Sequence, residues 1–311
     1  MKNLVLGIDV GGTNVKLGIV DAKGKILARS AMPTKPYNRN KTLLIKAIFA
    51  QIRALFNNSK ISLKQLAGIG IGLPGAVDPF KGLVIFLPNI PGWKNVPLRA
   101  IFEKEFGVPV LLENDVNMIT LGEWKYGAGK GKNDLLCMTL GTGVGGGLIL
   151  DGQLYRGASF VAGEIGHMPI NENGPHCNCG GWGCFEQSVG NRQLLEKISR
   201  IFGSTTLTIP DVHSLALKGD QKALKFFKET ATHIGNGLVG VVNLLNPPLI
   251  IIGGGVSNNH RFLFPTINQV IQKRAMKVQA KLVKIVHAKL GDDAGILGAR
   301  VLLAEGLKKR S

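Results

Sequence analysis

D-V-G-G-T-N-V-K-L-G, residues 9–18, is the clearest structural signal in this sequence. It joins two apolar runs, residues 4–10 and 15–20, through glycines, which predicts a β-hairpin with a Gly-Gly-Thr turn. Such a turn exposes backbone N–H groups beside a threonine hydroxyl, a combination that suits phosphate oxygens. Gly-Gly-Thr alone is also typical of an ordinary hairpin. Asp9 favours the binding interpretation, because a carboxylate at the end of a buried strand needs a donor or metal-bound water.

The same pattern occurs again near the middle of the chain. Residues 134–140 form an apolar run, L-G-T-G-V-G-G-G (140–147) supplies the turn, and a strand follows to residue 150. A G-x-G-x-x-G match inside this turn does not indicate a dinucleotide site, because a strand and not a helix follows it. The Walker spacing is also absent from both turns. Two hairpins of one kind predict two related lobes that close on a nucleotide.

Polar side chains follow another buried strand, residues 108–112, in the segment E-N-D-V-N (113–117). The strand leads into a helix predicted over residues 116–126, and such a junction is the usual place for ligand contacts in α/β sheets. Asn114 or Asp115 can cap this helix, but two adjacent residues cannot both do so. The sequence therefore predicts that one of them faces a ligand.

Residues 164–186 contain three of the four cysteines, Cys177, Cys179 and Cys184, together with His167. Three thiols and one imidazole are the ligand set of a closed tetrahedral zinc site. Four protein ligands leave no position for an activated water, so we expect a structural zinc and not a catalytic one. His176 is the rival histidine ligand, but it is adjacent to a cysteine ligand and so poorly placed.

Composition limits the class of protein. The chain has 311 residues, of which 45% are hydrophobic, with 42 glycines, as expected for an α/β protein with many turns. No apolar stretch predicts a membrane span or a signal peptide, and clustered cysteines favour a reducing compartment, so we expect a cytoplasmic protein. The net charge of +18 comes from scattered residues, and no motif predicts specific nucleic-acid binding.

These motifs, in this order, resemble the ROK family of sugar kinases within the actin-like ATPase superfamily. The resemblance covers almost the whole chain and is carried by the segments quoted above, by E-I-G-H (164–167), by C-N-C-G-G-W-G-C-F-E (177–186) and by G-G-G-V-S (253–257). Among family members, bacterial ATP-dependent glucokinases are the most similar in appearance. The resemblance implies a two-lobed α/β actin-like ATPase (ribonuclease H-like) fold with a zinc-braced loop.

The resemblance also implies an activity, the transfer of phosphate from ATP, with Mg²⁺, to a hexose. In such kinases the aspartate that matches Asp115 takes the proton from the attacking sugar hydroxyl. The residues that match the sugar-binding positions are Gly75, Asn114, Glu164, His167 and Glu186. The residues that match the positions around the nucleotide and Mg²⁺ are Asp9, Gly11, Gly12, Thr13, Lys16, Gly141, Thr142, Gly143, Gly253, Gly254 and Gly255.

We expect a small lobe over residues 1–117, a large lobe with the zinc site over 118–293, and a terminal helix, about 294–311, that packs back on the small lobe. Residues 88–97 are predicted as a loop. Glucose is the expected substrate, with N-acetylmannosamine, N-acetylglucosamine and fructose as alternatives and polyphosphate as the alternative donor. A sugar-responsive regulator without catalysis is the alternative class. A homodimer is the family-level expectation.

Overall fold

The computed structural model describes residues 2–37, 40–88 and 90–308. The strands are β1 (Leu4–Val10), β2 (Asn14–Val20), β3 (Ile26–Pro33), β4 (Leu66–Leu73), β5 (Ala76–Asp78), β6 (Leu83–Phe86), β7 (Lys94–Val96), β8 (Val110–Asn114), β9 (Leu135–Leu140), β10 (Val144–Leu150), β11 (Gln153–Tyr155), β12 (Leu249–Gly253) and β13 (Lys284–His287). The helices are α1 (Lys41–Ser59), α2 (Leu98–Phe106), α3 (Asp115–Tyr126), α4 (Glu186–Val189), α5 (Asn191–Phe202), α6 (Ile209–Leu217), α7 (Gln221–Leu245), α8 (His260–Arg274), α9 (Lys277–Leu282) and α10 (Ala294–Lys308).

Two five-stranded sheets share one topology. The first has the order β3-β2-β1-β4-β8 and the second the order β11-β10-β9-β12-β13. In each sheet the first three strands along the chain pair antiparallel, and the last two add in parallel. The glycine turns β1–β2 and β9–β10 therefore occupy equivalent positions. This duplicated topology confirms the predicted two-lobed, actin-like ATPase fold.

Helices α3 and α10 pack against each other between the two sheets. Their apolar residues share one buried cluster with Val5 of β1 and with Leu135 and Ile149 of the second sheet. Close approach requires glycine on both helices, because a Cβ at Gly122 or Gly298 would overlap the backbone of the other helix. Helix α10 also packs on β1 and β4. The lobe boundary at residue 117 stays a prediction.

A small sheet follows β4, and its last strand falls within the segment predicted as a loop. Strands β5, β6 and β7 pair antiparallel in the order β5-β6-β7. The loop prediction for residues 88–97 is therefore wrong over β7. Each of these strands is three or four residues long, too short for an alternating pattern to be read.

The second sheet is covered by the long helix α7. Its apolar face, which includes Phe226, Ile234 and Leu238, is fully buried. Gly237 on the same face contacts the ring of Phe185, so the loop that contains the cysteines is anchored to α7 through this phenylalanine. Among the described residues, no helix is both long enough and apolar enough to cross a membrane.

Candidate active site

A cleft of about 600 Å³ lies between the two glycine turns. It brings together most of the residues that the sequence predicts for sugar and phosphate binding. These are Gly12, Thr13, Gly75, Asn114, Asp115, Gly141, Thr142, Gly143, Glu164, His167, Glu186 and Gly254. Segments separated by more than half of the chain therefore meet in one cleft.

Each of the two turns is closed by a backbone hydrogen bond, which spans three residues in the first turn and two in the second. Gly11 N donates to Asn14 O at 2.9 Å, and Gly141 N donates to Gly143 O at 2.9 Å. The first turn is held further by the buried Thr34, whose Oγ1 donates to Gly11 O at 2.8 Å. Both turns therefore present fixed backbone to the cleft from opposite sides.

Asn114 and Asp115 divide the two roles that their adjacency predicts. Asn114 caps α3, because its Oδ1 accepts from the backbone N of Val116 at 2.9 Å and of Asn117 at 3.2 Å. Its Nδ2 donates to Gly75 O at 3.3 Å, which ties two predicted sugar-binding residues together. Asp115 is the first residue of the helix and lines the cleft as a carboxylate.

Burial, the nearby carboxylate of Asp9 and, to a smaller extent, that of Glu164 together raise the pKa of Asp115 to about 7. The hydrogen bond from Val116 N opposes this shift but does not cancel it. A carboxylate with a pKa near neutrality is both ionised and basic enough to accept a proton at physiological pH. Asp115 therefore has the properties of a general base.

Two more carboxylates, those of Glu164 and Glu186, form a wall of the cleft. Glu186 begins α4, and its Oε2 accepts from Val144 N at 2.8 Å, directly beside the second glycine turn. Glu164 precedes a short 3-10 helix and is about half exposed to the cleft. Partial burial raises the pKa of Glu164, His167 lowers it, and Glu186 raises it.

A group of four potential metal ligands stands behind this wall. The ligand atoms of His167, Cys177, Cys179 and Cys184 all lie within 4.8 Å of one another. Cys177 Sγ lies 3.6 Å from His167 Nδ1, and Cys179 Sγ lies 3.6 Å from Cys184 Sγ. The other imidazole nitrogen, Nε2, lies 3.9 Å from Glu164 Oε2. His167 therefore has one nitrogen in the cluster and the other beside a cleft carboxylate.

The alternation E-I-G-H explains why the same segment serves the cleft and the cluster. Glu164 faces the cleft, Ile165 is buried in the core, and Gly166 lies so close to Val144 O that a Cβ would overlap it. His167 then reaches the cysteines. The rival ligand His176 is exposed and packs edge-on against Trp182.

A second cavity, of about 410 Å³, adjoins the cleft at Thr139 and Gly254. It contains the predicted residues Asp9, Lys16, Gly253 and Gly255 as well. Burial raises the pKa of Asp9, and Lys16 opposes that shift. The Lys16 Nζ donates to Asp292 Oδ1 at 2.6 Å in an exposed ion pair.

Two buried carboxylates near the site were not identified from the sequence. Glu123, in the wall of the second cavity, accepts backbone hydrogen bonds from Ala128, Lys289 and Leu290 at 2.7 to 2.8 Å. Glu113, just before Asn114, pairs with Arg156 at 2.6 Å. The charged residue at the end of the apolar strand was the available signal for Glu113.

Comparison with known proteins gives the family. The model of the ROK family matches residues 5–305. This chain belongs to the ROK family. It is 33% identical over 317 residues to a glucokinase of Thermotoga maritima, covering 98% of both chains. It superposes with a TM-score of 0.81 on a ROK family glucokinase from Streptomyces griseus in complex with glucose and AMPPNP, at 33% identity and covering 96% and 98% of the chains.

Regulators occur among the relatives of this ROK protein as well. A xylose repressor of Caldicellulosiruptor bescii is 31% identical over 306 residues, which cover 94% of this chain and 76% of the repressor. Membership of the family is therefore compatible with either a kinase or a regulator. The residues of the site must distinguish between these two functions.

Proposed function

We propose that this ROK protein is an ATP-dependent hexose kinase that converts glucose to glucose 6-phosphate. The observation that carries the proposal is the position of Asp115. Its carboxylate lies at the start of α3, in a cleft that is lined both by the two glycine turns and by Glu164, His167 and Glu186. The base therefore lies close both to groups that can bind the phosphate donor and to groups that can bind the hydroxyl acceptor.

Phosphoryl transfer depends mainly on positioning and charge stabilisation, with one group to orient the nucleophile. In the proposed reaction the oxygen of the sugar hydroxyl attacks the γ-phosphorus of ATP while Asp115 accepts the hydroxyl proton, and ADP leaves. The backbone N–H groups of the two glycine turns, other than those of Gly11 and Gly141 that close the turns, donate to the phosphate oxygens. Mg²⁺ bound with ATP neutralises phosphate charge, and Asp9 is the carboxylate that would face it.

The sugar is held by the wall that Glu164, His167 and Glu186 form. Glu164 and Glu186 accept hydrogen bonds from sugar hydroxyls, and charge-assisted bonds of this kind are the stronger class. His167 Nε2 and the Nδ2 of Asn114 complete the set, with Gly75 placed behind Asn114. Lys16, Gly253, Gly254 and Gly255 line the cavity that would take the remainder of the nucleotide.

The four-ligand cluster fits zinc. Tetrahedral coordination with Zn–S bonds of about 2.3 Å places two sulfur atoms about 3.8 Å apart. The Cys179–Cys184 and His167–Cys177 separations of 3.6 Å are close to that geometry. A zinc ion bound there would be structural, because all four positions come from protein, and it would hold His167 and the backbone before Glu186 in place.

The names of the relatives support glucose and ATP over the alternatives. N-acetylhexosamines, fructose and polyphosphate stay as the alternative substrates and donor. A non-catalytic regulator is disfavoured by the presence of both glycine turns and of Asp115. The homodimeric state and the cytoplasmic location expected from the sequence stay predictions.

A kinase assay over a panel of sugars tests the proposal. Glucose, mannose, fructose, N-acetylglucosamine and N-acetylmannosamine would each be offered with MgATP and, separately, with polyphosphate, and the sugar phosphate measured directly. We expect the highest kcat/KM for glucose with ATP. Turnover of none of these sugars by a folded protein that nevertheless binds a sugar would favour the regulator.

A further inference from the structure

We propose that Glu113 and Arg156 form an interlobe clasp that positions Asp115 against the sugar-binding wall. The proposal rests on the proposed kinase function, and it adds two positioning residues that line neither the cleft nor the second cavity. Glu113 lies at the end of β8 in the first sheet, and Arg156 directly follows β11 at the edge of the second.

Glu113 is the centre of the clasp. Its side chain is 2% exposed, and its two oxygens accept three hydrogen bonds. Oε1 accepts from Asn114 N and from Asn117 Nδ2, each at 3.0 Å, and Oε2 accepts from Arg156 Nε at 2.6 Å. Asp115 lies between the two residues that donate to Oε1. The Glu113 carboxylate therefore fixes the strand end and the first helical turn on either side of the proposed base.

Arg156 carries the clasp to the sugar side of the cleft. The loop over residues 157–163 begins immediately after it, and Ala162 N donates back to Arg156 O at 3.0 Å. Phe160, Ala162 and Gly163 of this loop line the cleft, and Glu164 follows directly. Fixing Arg156 on Glu113 therefore sets the distance between the first lobe and the segment that leads into the sugar-binding wall.

A second contact holds the same loop to the first lobe. The Phe160 ring lies 5.4 Å, between centroids, from the ring of Phe80, which belongs to the turn between β5 and β6. Phe160 has a φ of 65°, in the left-handed region that phenylalanine adopts rarely. Surrounding contacts must compensate for this conformation. The loop is therefore docked on the first lobe at both its beginning and its middle.

Burial makes the pair sensitive to the loss of either partner. Removing one charge of a buried ion pair leaves the other without compensation, whereas removing both can be nearly neutral. Misplacing a reacting group by about 1 Å can lower a rate about 100-fold. We therefore expect the single variants Glu113→Gln and Arg156→Met to lower kcat about 10- to 100-fold. The double variant is expected to lose no more than the worse single variant.

The test combines kinetics with hydrogen exchange on the full-length protein. Arg156→Lys, which keeps the charge, should recover part of the activity lost in Arg156→Met. Glu229→Gln is the matched control, since it breaks the Lys197–Glu229 pair at 2.7 Å outside the cleft. In both single clasp variants we expect faster amide exchange in residues 157–163 and 114–118. Amide exchange in the strands of the second sheet should not change. The control should leave both segments and kcat unchanged.

Two outcomes would overturn the clasp. In the first, the clasp variants lower the melting temperature while kcat per folded molecule stays at the wild-type value. In the second, exchange rises uniformly or not at all in the two segments. A wild-type protein that phosphorylates none of the sugars refutes the kinase function separately, and the exchange pattern then still decides whether Glu113 and Arg156 join the lobes.

Discussion

Replacing Cys184 with serine is expected to weaken sugar binding much more than it slows the phosphoryl transfer. Cys184 is one of the four clustered ligands, and it precedes Phe185 and Glu186 in the chain. Losing it releases the backbone that places Glu186 beside the second glycine turn. The cluster also holds His167, whose Nε2 is 3.9 Å from Glu164. Both proposed sugar-binding carboxylates therefore depend on it.

The size of the effect follows from the hydrogen bonds at stake. One hydrogen bond to a charged group contributes about 1.5 to 3 kcal/mol. At about 1.4 kcal/mol per tenfold change, losing one such bond raises the KM for glucose about 10- to 100-fold. Asp115 is positioned by α3, and its carboxylate accepts a hydrogen bond from Val116 N of that helix and not from the metal-ligand cluster. The kcat should therefore fall less than the KM rises.

The assay compares steady-state kinetics, zinc content by elemental analysis and glucose affinity by calorimetry. Cys137→Ala is the matched control, because it removes a buried strand thiol outside the cluster. The control is expected to lower stability and leave the zinc content and the KM unchanged. A Cys184→Ser protein, or a chelated wild type, that is free of zinc and keeps its KM for glucose would refute the proposal that bound zinc positions the sugar-binding residues.

Three further predictions concern the base, the helix layer and the second cavity. The kcat/KM for glucose should rise with pH and level off above about 7, because Asp115 must be ionised, and about one tenth of it is ionised one unit lower; a profile that is flat down to about pH 5 would contradict this. Gly70→Ala should lower the free energy of unfolding by about 1 to 3 kcal/mol in urea, because its Cβ would lie 2.6 Å from that of Ala299. Gly240→Ala, with open space around it, is the control and should not destabilise the protein. Glu123→Gln should cost about 3 kcal/mol and raise the KM for ATP, since an amide cannot accept all three backbone hydrogen bonds; normal stability and KM would show that the carboxylate is dispensable.

The duplicated fold was predictable because its signals are local. Each glycine turn is flanked by apolar runs that the sequence displays directly, and the equivalent positions of the two turns indicate two lobes. The sheet β5-β6-β7 was missed because its strands are short and lie between proline-rich segments. Each of these strands buries one valine in the core (Val77, Val84 and Val96), and one buried valine per strand gives no periodicity that a sequence would reveal.

The site, too, contains features that could be predicted from the sequence and features that could not. The histidine and cysteine cluster was predictable because its residue types are rare and close together in the sequence. The pairs Glu113–Arg156 and Glu123–Leu290 were not, because 43 and 167 positions separate their partners. A single sequence contains no pattern that joins a carboxylate to its hydrogen-bond donor at such separations, and only the packing of the lobes brings them together.

The most direct measurement is the rate at which the purified protein and its Asp115→Asn variant form glucose 6-phosphate from glucose and MgATP. A positioned general base contributes about 100- to 10,000-fold to a rate, so kcat should fall by that factor. Glucose affinity, measured by calorimetry, should stay within about threefold, because asparagine keeps the shape of the side chain. An Asp115→Asn variant with near-normal kcat, or a wild type that forms no sugar phosphate, would contradict the account.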